Sequence, residues 1–485
     1  DYTGERQHSS ADFRNLNTRW RFPLGDGWSL AATADVGWDP RADYPGQLTA
    51  VELARNPDSA AAINLTRNAG KDVTQGQVGV IVRRALAGGG EASLTVFGFA
   101  RSLDNPQTFA WLILDRLAYG ARLSVSRPMA LGRLVDHLTA GIDFQRQRDD
   151  RVNYNYRTPT SAVRDTTRQL DQLEHVAEVG PFVQSVLAVT PHVSLTGGLR
   201  YDWVNFDVAD RLASPGNSGS RVMSAASGTL GLALAPSEAL TVYGNVGTSF
   251  ETPTTTELAN QPSGATGFNP TLEPQRATNF EIGSRGDVPG GVHYSVALFD
   301  AEVRNELIGY QAPPPAAPGR VYFRNAGRSR HRGVELGAAL EVVPRLTVAT
   351  SWTYSDFRYM SYTSGTHVLD GRAIPGIPQH WFHVLVNGRP AAARGGWFEV
   401  EETRSSGYFV NDTLSTYTGG WWTTNVRLGW DQTVGSVRLH PFAGFNNIWN
   451  RAYVGSVVIN AAGGRYYEPA PGRNLYVGFS LGAGE

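Results

Sequence analysis

Apolar and polar positions alternate one by one over much of the chain. From Val193, the apolar residues Val193, Leu195, Leu199, Tyr201 and Trp203 share one face, and Ser194, Thr196, Arg200 and Asp202 share the other. The same period returns at Val334, Leu336, Ala338 and Leu340 against Glu335, Gly337 and Ala339, and at Leu346, Val348, Thr350, Trp352 and Tyr354 against Thr347, Ala349, Ser351 and Thr353. Near the end, Leu475, Val477, Phe479 and Leu481 alternate with Asn474, Tyr476, Gly478 and Ser480. Side chains of an extended strand project alternately to its two faces, so this period predicts strands with one apolar and one wet face. Such segments number about 19 along the chain.

Strands of this kind suit a soluble sandwich as well as a membrane barrel, and the connections choose between them. Short turns fall at Pro23 to Gly27, Ala87 to Gly90, Pro128 to Gly132, Thr190 to His192, Ala235 to Glu238, Val288 to Gly291, Val343 to Arg345 and Thr433 to Ser436. Between them lie long polar segments at about 38 to 74, 105 to 116, 151 to 174, 209 to 220, 251 to 274, 309 to 319, 359 to 375, 404 to 419 and 450 to 472. Short periplasmic turns alternating with long extracellular loops mark an up-and-down membrane barrel. The expected fold is therefore all-β, a transmembrane antiparallel up-and-down β-barrel, with residues 1–485 as one domain.

The first strand, roughly Ala11 to Phe22, runs into a short turn and so descends toward the periplasm. A barrel entered from the periplasm starts with an ascending strand, so an odd number of strands must precede this one. Against the 22 strands of plugged transporters, three N-terminal strands are expected to be missing, and the N-terminal plug with them. The chain is accordingly expected to be a fragment, because an unpaired strand edge in lipid costs several kcal/mol per backbone group. Asp1 has no basic segment, apolar segment or cleavage site before it.

Composition removes several classes. With no cysteine, disulfides and thiolate sites are excluded. A formal charge of -1 gives no global attraction to nucleic acid. No apolar run is long enough for a transmembrane helix. Gly 54, Tyr 19, Phe 20 and Trp 12 fit tight turns and strands. No fixed-period repeat suggests a propeller or solenoid. The ten histidines form no close ligand pair, and neither a nucleophile elbow nor a phosphate loop occurs, so no enzyme activity, metal site or cofactor is expected. The aromatic pairs Trp421 with Trp422 and Tyr466 with Tyr467 fit either interfacial girdles or loop packing. Arg148, Arg151, Arg157 and Arg164 near Asp149, Asp150 and Asp165 are read as solvated mixed charge.

Three stretches carry a family resemblance. Ser249 to Leu258 (SFETPTTTEL) followed by Phe268 to Gly283 (FNPTLEPQRATNFEIG) resembles the barrel segment of TonB-dependent receptors. Tyr322 to Gly327 (YFRNAG), leading to Arg332 to Leu336 (RGVEL), does so too. Phe445 to Tyr453 (FNNIWNRAY) is similar to the family's penultimate strand and its exit into the last loop. Tyr453 to Val457 and Gly464 to Asn474 resemble the end of the subgroup of pyrroloquinoline quinone and presumed iron-siderophore receptors. The resemblance implies a bacterial outer-membrane receptor for energy-coupled uptake of pyrroloquinoline quinone or an iron-siderophore complex. It implies partnership with TonB-ExbB-ExbD through the plug, which this chain is expected to lack, and a setting of outer-membrane lipid and lipopolysaccharide. The chain runs past Phe479 to Glu485, whereas the family usually ends on an aromatic residue.

Ligand contacts are expected from the long loops. Arg465, Tyr466, Tyr467 and Arg473 in the last loop, and Arg320, Tyr322 and Arg324 beside another, combine cations with flat rings able to hold an anionic chelate or quinone. The alternative role of these residues is to brace loops against one another. The alternative function is a passive outer-membrane porin.

Overall fold

The computed structural model describes the chain apart from residues 1–3, 133, 213–217, 260, 263–266, 311–321, 326 and 484–485. One antiparallel sheet dominates it. Its strands are β1 (Ala11–Gly25), β2 (Trp28–Asp43), β3 (Gly70–Leu86), β4 (Gly90–Pro106), β5 (Trp111–Leu131), β6 (Leu134–Tyr156), β7 (Arg164–Thr190), β8 (Val193–Asp210), β9 (Gly219–Ser237) and β10 (Leu240–Glu251). They continue as β11 (Gln275–Val288), β12 (Val292–Arg304), β13 (Arg328–Val343), β14 (Leu346–Ser361), β15 (His380–Gly388), β16 (Gly396–Ser405), β17 (Trp421–Trp430), β18 (Val437–Asn446) and β19 (Asn474–Ala483). A short piece, Gln432–Val434, prolongs β17 along β18 past an irregularity at Asp431. Each strand pairs with the next in sequence, so the sheet is an up-and-down meander. Among the described residues, nineteen rungs agree with the count of about 19 read from the alternation.

Turn chemistry explains the short connections. Asp26 and Gly27 both take positive φ (47° and 76°), the two-residue hairpin geometry whose twist matches the flanking strands. Nine longer connections alternate with the tight turns, as expected, but three details differ. The polar stretches 105–116 and 151–174 are mostly strand, leaving connectors of only residues 107–110 and 157–163. Past an apolar band a strand needs no apolar face, so its polarity reads as loop while its backbone still pairs. Residues 389–395 form a turn that the alternation did not show, with Arg394 and Gly395 at positive φ.

Register places the apolar positions in continuous rows on one face. Ile282, Leu298, Val334 and Tyr354 are direct neighbours across β11 to β14. Two residues along, the same face carries Phe280, Asp300, Arg332 and Asp356, where the apolar band ends in charge. The opposite face is polar, and we call it inner because the connection 252–274 folds over it. That connection, with its helix α1 (Thr255–Ala259), seats Leu258 and Leu272 against Val204, Phe206 and Met223 of β8 and β9. At the end of the chain, Asn474 and Tyr476, set by the alternation on the face opposite the apolar residues, contact Asn446 and Phe442, while Leu475, Val477, Phe479 and Leu481 stay exposed on the apolar side.

Many glycines on the inner face lie beneath an aromatic ring of the adjacent strand. Phe299 covers Gly333, and Phe97 covers Gly120; a Cβ on Gly333 would stand 2.6 Å from the Phe299 ring and 2.2 Å from the Tyr354 carbonyl oxygen. Gly333→Ala is therefore expected to destabilise the protein by about 1–3 kcal/mol through overpacking. Gly197, with nothing within 4 Å of an added Cβ, should accept alanine with little change. Urea midpoints of the two variants check this, and equal midpoints would remove the packing role of the covered glycines.

Among the described residues β1 pairs only with β2, and β19 only with β18. The sheet nevertheless curls until its first and last loops touch. Leu48 and Tyr467 exchange main-chain hydrogen bonds of 2.8 and 3.1 Å, and Gln47 donates to Glu468 at 2.7 Å.

Candidate functional site

The long loops gather at one end and join one another in sequence. Arg67, in the helix Ala62–Arg67, donates to the carbonyls of Thr158 and Ser161 at 2.9 and 2.7 Å while stacking on Tyr156. Arg151 of β6 reaches Thr256 at 2.7 Å, and Thr255 donates to Glu174 at 2.5 Å, fastening the connection 252–274 to the sheet. Asn325 exchanges hydrogen bonds with the main chain of Glu273. Arg324 donates to the Thr363 carbonyl at 2.7 Å. The hydroxyls of Tyr359 and Tyr362 both donate to buried Asp412, and the Asp412 N–H donates to Asn460. With the seam at Leu48 and Tyr467, these contacts tie much of the loop end together.

Below this ring the inner face holds a cavity of about 640 Å³ between strands β4 to β8 and residues 252–256. Its polar lining includes Arg116, Gln147, Asp149, Arg151, Glu174 and Glu178. Asp149 is buried and accepts two bonds from Arg116, at 2.8 and 2.6 Å, and one from Gln147 at 3.0 Å. Nε of Arg151 is buried without a hydrogen-bond partner among the described residues. Further along the same face Arg200 binds Asp202 at 2.6 Å and Glu178 at 3.4 Å, and also pairs with Asp143. Such a surface offers fixed donors and acceptors to a hydrophilic, charged solute. No cluster of three or more histidines and carboxylates arranged for a metal ion occurs among the described residues.

The residues selected from sequence divide between two places. Arg465 grips Glu52 with two bonds of 3.0 and 2.8 Å and donates to the Gln47 carbonyl at 3.1 Å. Tyr467 is buried in the Leu48 bridge, and the Tyr466 hydroxyl accepts from Asn411 at 3.4 Å. Arg473 is exposed, with no ion pair among the described residues. In the other place, Tyr322 is buried in a small hairpin opposite Tyr310, and Arg324 lies over the Tyr310 ring at 4.7 Å. Arg320 lies outside the described residues. No hydrogen bond or ring contact among the described residues joins the two groups. Arg151 and Asp149, read from sequence as solvated charge, belong to the cavity wall. Arg116, Glu174 and Glu178 were not singled out, because residues tens of positions apart meet only through strand register; Arg116 and Asp149 are direct cross-strand partners.

Glu52 also caps the helix Ala50–Arg55 by a reciprocal arrangement with Thr49. The Thr49 main-chain N–H first, and then Arg465, holds the Glu52 carboxyl below the usual range. A depressed carboxylate contributes stability above its unfolded pKa, and that contribution is lost as pH falls through the lowered folded value. At neutral pH Arg465→Ala is expected to cost about 0.5–1 kcal/mol, as a partly exposed pair should. The difference between wild type and variant in urea midpoint should shrink toward acid pH. A difference independent of pH would remove the Glu52 pair as its source.

An up-and-down sheet with an outward apolar band, a polar inner face and long loops gathered at one end is the architecture of an outer-membrane β-barrel protein. The chain matches the TonB dependent receptor-like β-barrel family over residues 1–448, and it belongs to that family. Its place is the bacterial outer membrane. An uncharacterized TonB-dependent receptor of Haemophilus influenzae is 23% identical over 283 residues, which cover 55% of this chain and 78% of the relative. The unliganded ferric citrate transporter FecA superposes with a TM-score of 0.82 at 15% identity, covering 98% of this chain and 71% of that one. The siderophore receptor PiuA from Acinetobacter baumannii gives 0.78 at 14% identity, with 99% and 75% covered. The copper transporter OprC gives 0.73 at 15%, with 98% and 72% covered. The family and these neighbours are transport receptors rather than enzymes.

Proposed function

We propose that this chain supplies most of a closed 22-strand barrel that imports a scarce anionic chelate, an iron-siderophore complex or pyrroloquinoline quinone, with energy from TonB-ExbB-ExbD. Three further strands would join β1 to β19, and a plug would carry the TonB contact. The observation that carries the reading is the polar cavity with Arg116 and Arg151 beneath interlocked loops in a member of a TonB-dependent family. The solved neighbours named for ferric citrate and siderophores support the iron-chelate choice. The resemblance around Gly464 to Asn474 supports the quinone choice. We assign ligand contact to Arg473, whose guanidinium is exposed, and to the cavity wall. Arg465, Tyr466, Tyr467, Tyr322 and Arg324 act beside them as the framework of the loop end, and Arg320 is kept as a candidate ligand contact from its sequence position alone. The family membership disfavours a passive porin.

The test is equilibrium binding of pyrroloquinoline quinone and of a ferric siderophore panel to full-length protein in detergent, with uptake measured in cells with and without TonB. Saturable binding of one ligand and uptake that requires TonB are expected. Uptake independent of TonB, without saturable binding, would overturn the reading in favour of passive diffusion.

A further inference from the structure

A second hollow, of about 630 Å³, lies on the outward face and is separate from the cavity of the transport path. One side of its wall is a cross-strand row in which Trp352 of β14, Phe382 of β15, Arg404 of β16 and Trp422 of β17 are direct neighbours, and residues 405–406 and 420–421 form the rim toward the loops. His380 stands at the next position on the same face, against the rings of Trp352 and Tyr354 at 5.8 and 5.3 Å. Arg451 extends the cationic surface, its guanidinium 4.2 Å from the Trp422 ring centre.

Two features bear on what this hollow could hold. Arg330, Arg332 and Arg358 are each tied to Asp300 or Asp356, whereas Arg404 is exposed and makes no ion pair among the described residues. Glu402, the nearest carboxylate along its strand, accepts from the Thr424 hydroxyl instead. The hollow also sits at a boundary. Four positions along the strands, the same face presents an unbroken row of valines, Val348, Val386, Val400 and Val426, roughly 13 Å away at the usual strand rise.

We propose that this hollow binds a phosphorylated lipid headgroup of the outer leaflet. Arg404 would hold the phosphate through its paired N–H groups, with His380 and Arg451 adding donors. The tryptophans fit the interface between headgroup and hydrocarbon, and the acyl chains would lie along the valine row. Charge complementarity selects an anionic headgroup, and continuity with the apolar band selects a lipid over a soluble ion. The inference rests on the outer-membrane position and not on the identity of the imported ligand, so it stands or fails separately from the uptake assay.

The test is native mass spectrometry of full-length protein in detergent, offered phosphatidic acid or phosphatidylcholine, with and without excess inorganic phosphate. Preferential retention of phosphatidic acid is expected. Arg404→Gln should lower it about tenfold, as loss of one charge-assisted contact implies. Arg404→Lys should fall between, and Arg330→Gln should match wild type. Heat modifiability is checked for each variant. Equal retention of the two lipids, unchanged retention in Arg404→Gln, or complete displacement by inorganic phosphate would each overturn the proposal, the last by showing a site for a simple anion.

Discussion

Leu298→Arg is expected to destabilise the folded protein by about 2–4 kcal/mol, the cost of a charged side chain near the bilayer midplane on the lipid face of a barrel. Leu298 lies on the outward face of β12 between Ile282 and Val334, and nearly half of its surface is open in the isolated chain. In the membrane that surface meets acyl chains, which cannot solvate a guanidinium. Asn245→Arg provides the contrast. Asn245 faces inward on β10 opposite Glu281, where water and a carboxylate receive the charge, so its cost should stay below about 1 kcal/mol. Urea titrations of full-length protein refolded in phospholipid vesicles, read by heat modifiability on gels, give both values. Equal penalties would mean that the two faces of the sheet do not meet lipid and water as assigned.

The faces were legible in the sequence because a period of two leaves no freedom: once Leu475 points outward, Tyr476 must point inward. The approximate strand number and the order of most short and long connections follow from the same pattern, although the turn at residues 389–395 did not show in it. Strand length did not. β6 and β7 run through Arg148, Arg151 and Glu174, where polar residues occupy both faces and alternation vanishes although pairing continues. The loop end was harder still. Arg465 was recognised as a cation beside aromatics, but its partner Glu52 lies 413 residues away, and only the curl of the sheet brings the two together. Arg324 was placed in a loop whose neighbours are set by tertiary packing of Leu307 and Phe323 against Leu258 and Leu272. The stretch Ser249 to Gly283, which carried the family resemblance, includes the connection that folds over the inner face and roofs the cavity.

That same inner face supplies the second large effect. Arg200 of β8 is the shared partner of Asp143, Glu178 and Asp202, and Asp202 is only 2% exposed. The pair packs over Gly180, where a Cβ would stand 2.1 Å from the Arg200 guanidinium and 2.2 Å from the Asp202 carboxylate. Arg200→Met takes the cation from Glu178 and Asp202, the latter cut off from water, while Asp143 keeps its pair with Arg122. Breaking a buried pair on one side costs about 3–5 kcal/mol, and the partial exposure of Arg200 puts the expected loss near the lower end, about 3 kcal/mol. If uncompensated charge is the cause, deleting the buried charge as well should restore stability. The double variant Arg200→Met with Asp202→Asn is therefore expected to recover more than half of the loss, and Arg200→Lys, which keeps the charge but not the planar fork, should fall between. The same urea titration measures all three variants. A double variant no more stable than Arg200→Met would show that shape, rather than charge, makes Arg200 necessary to the wall.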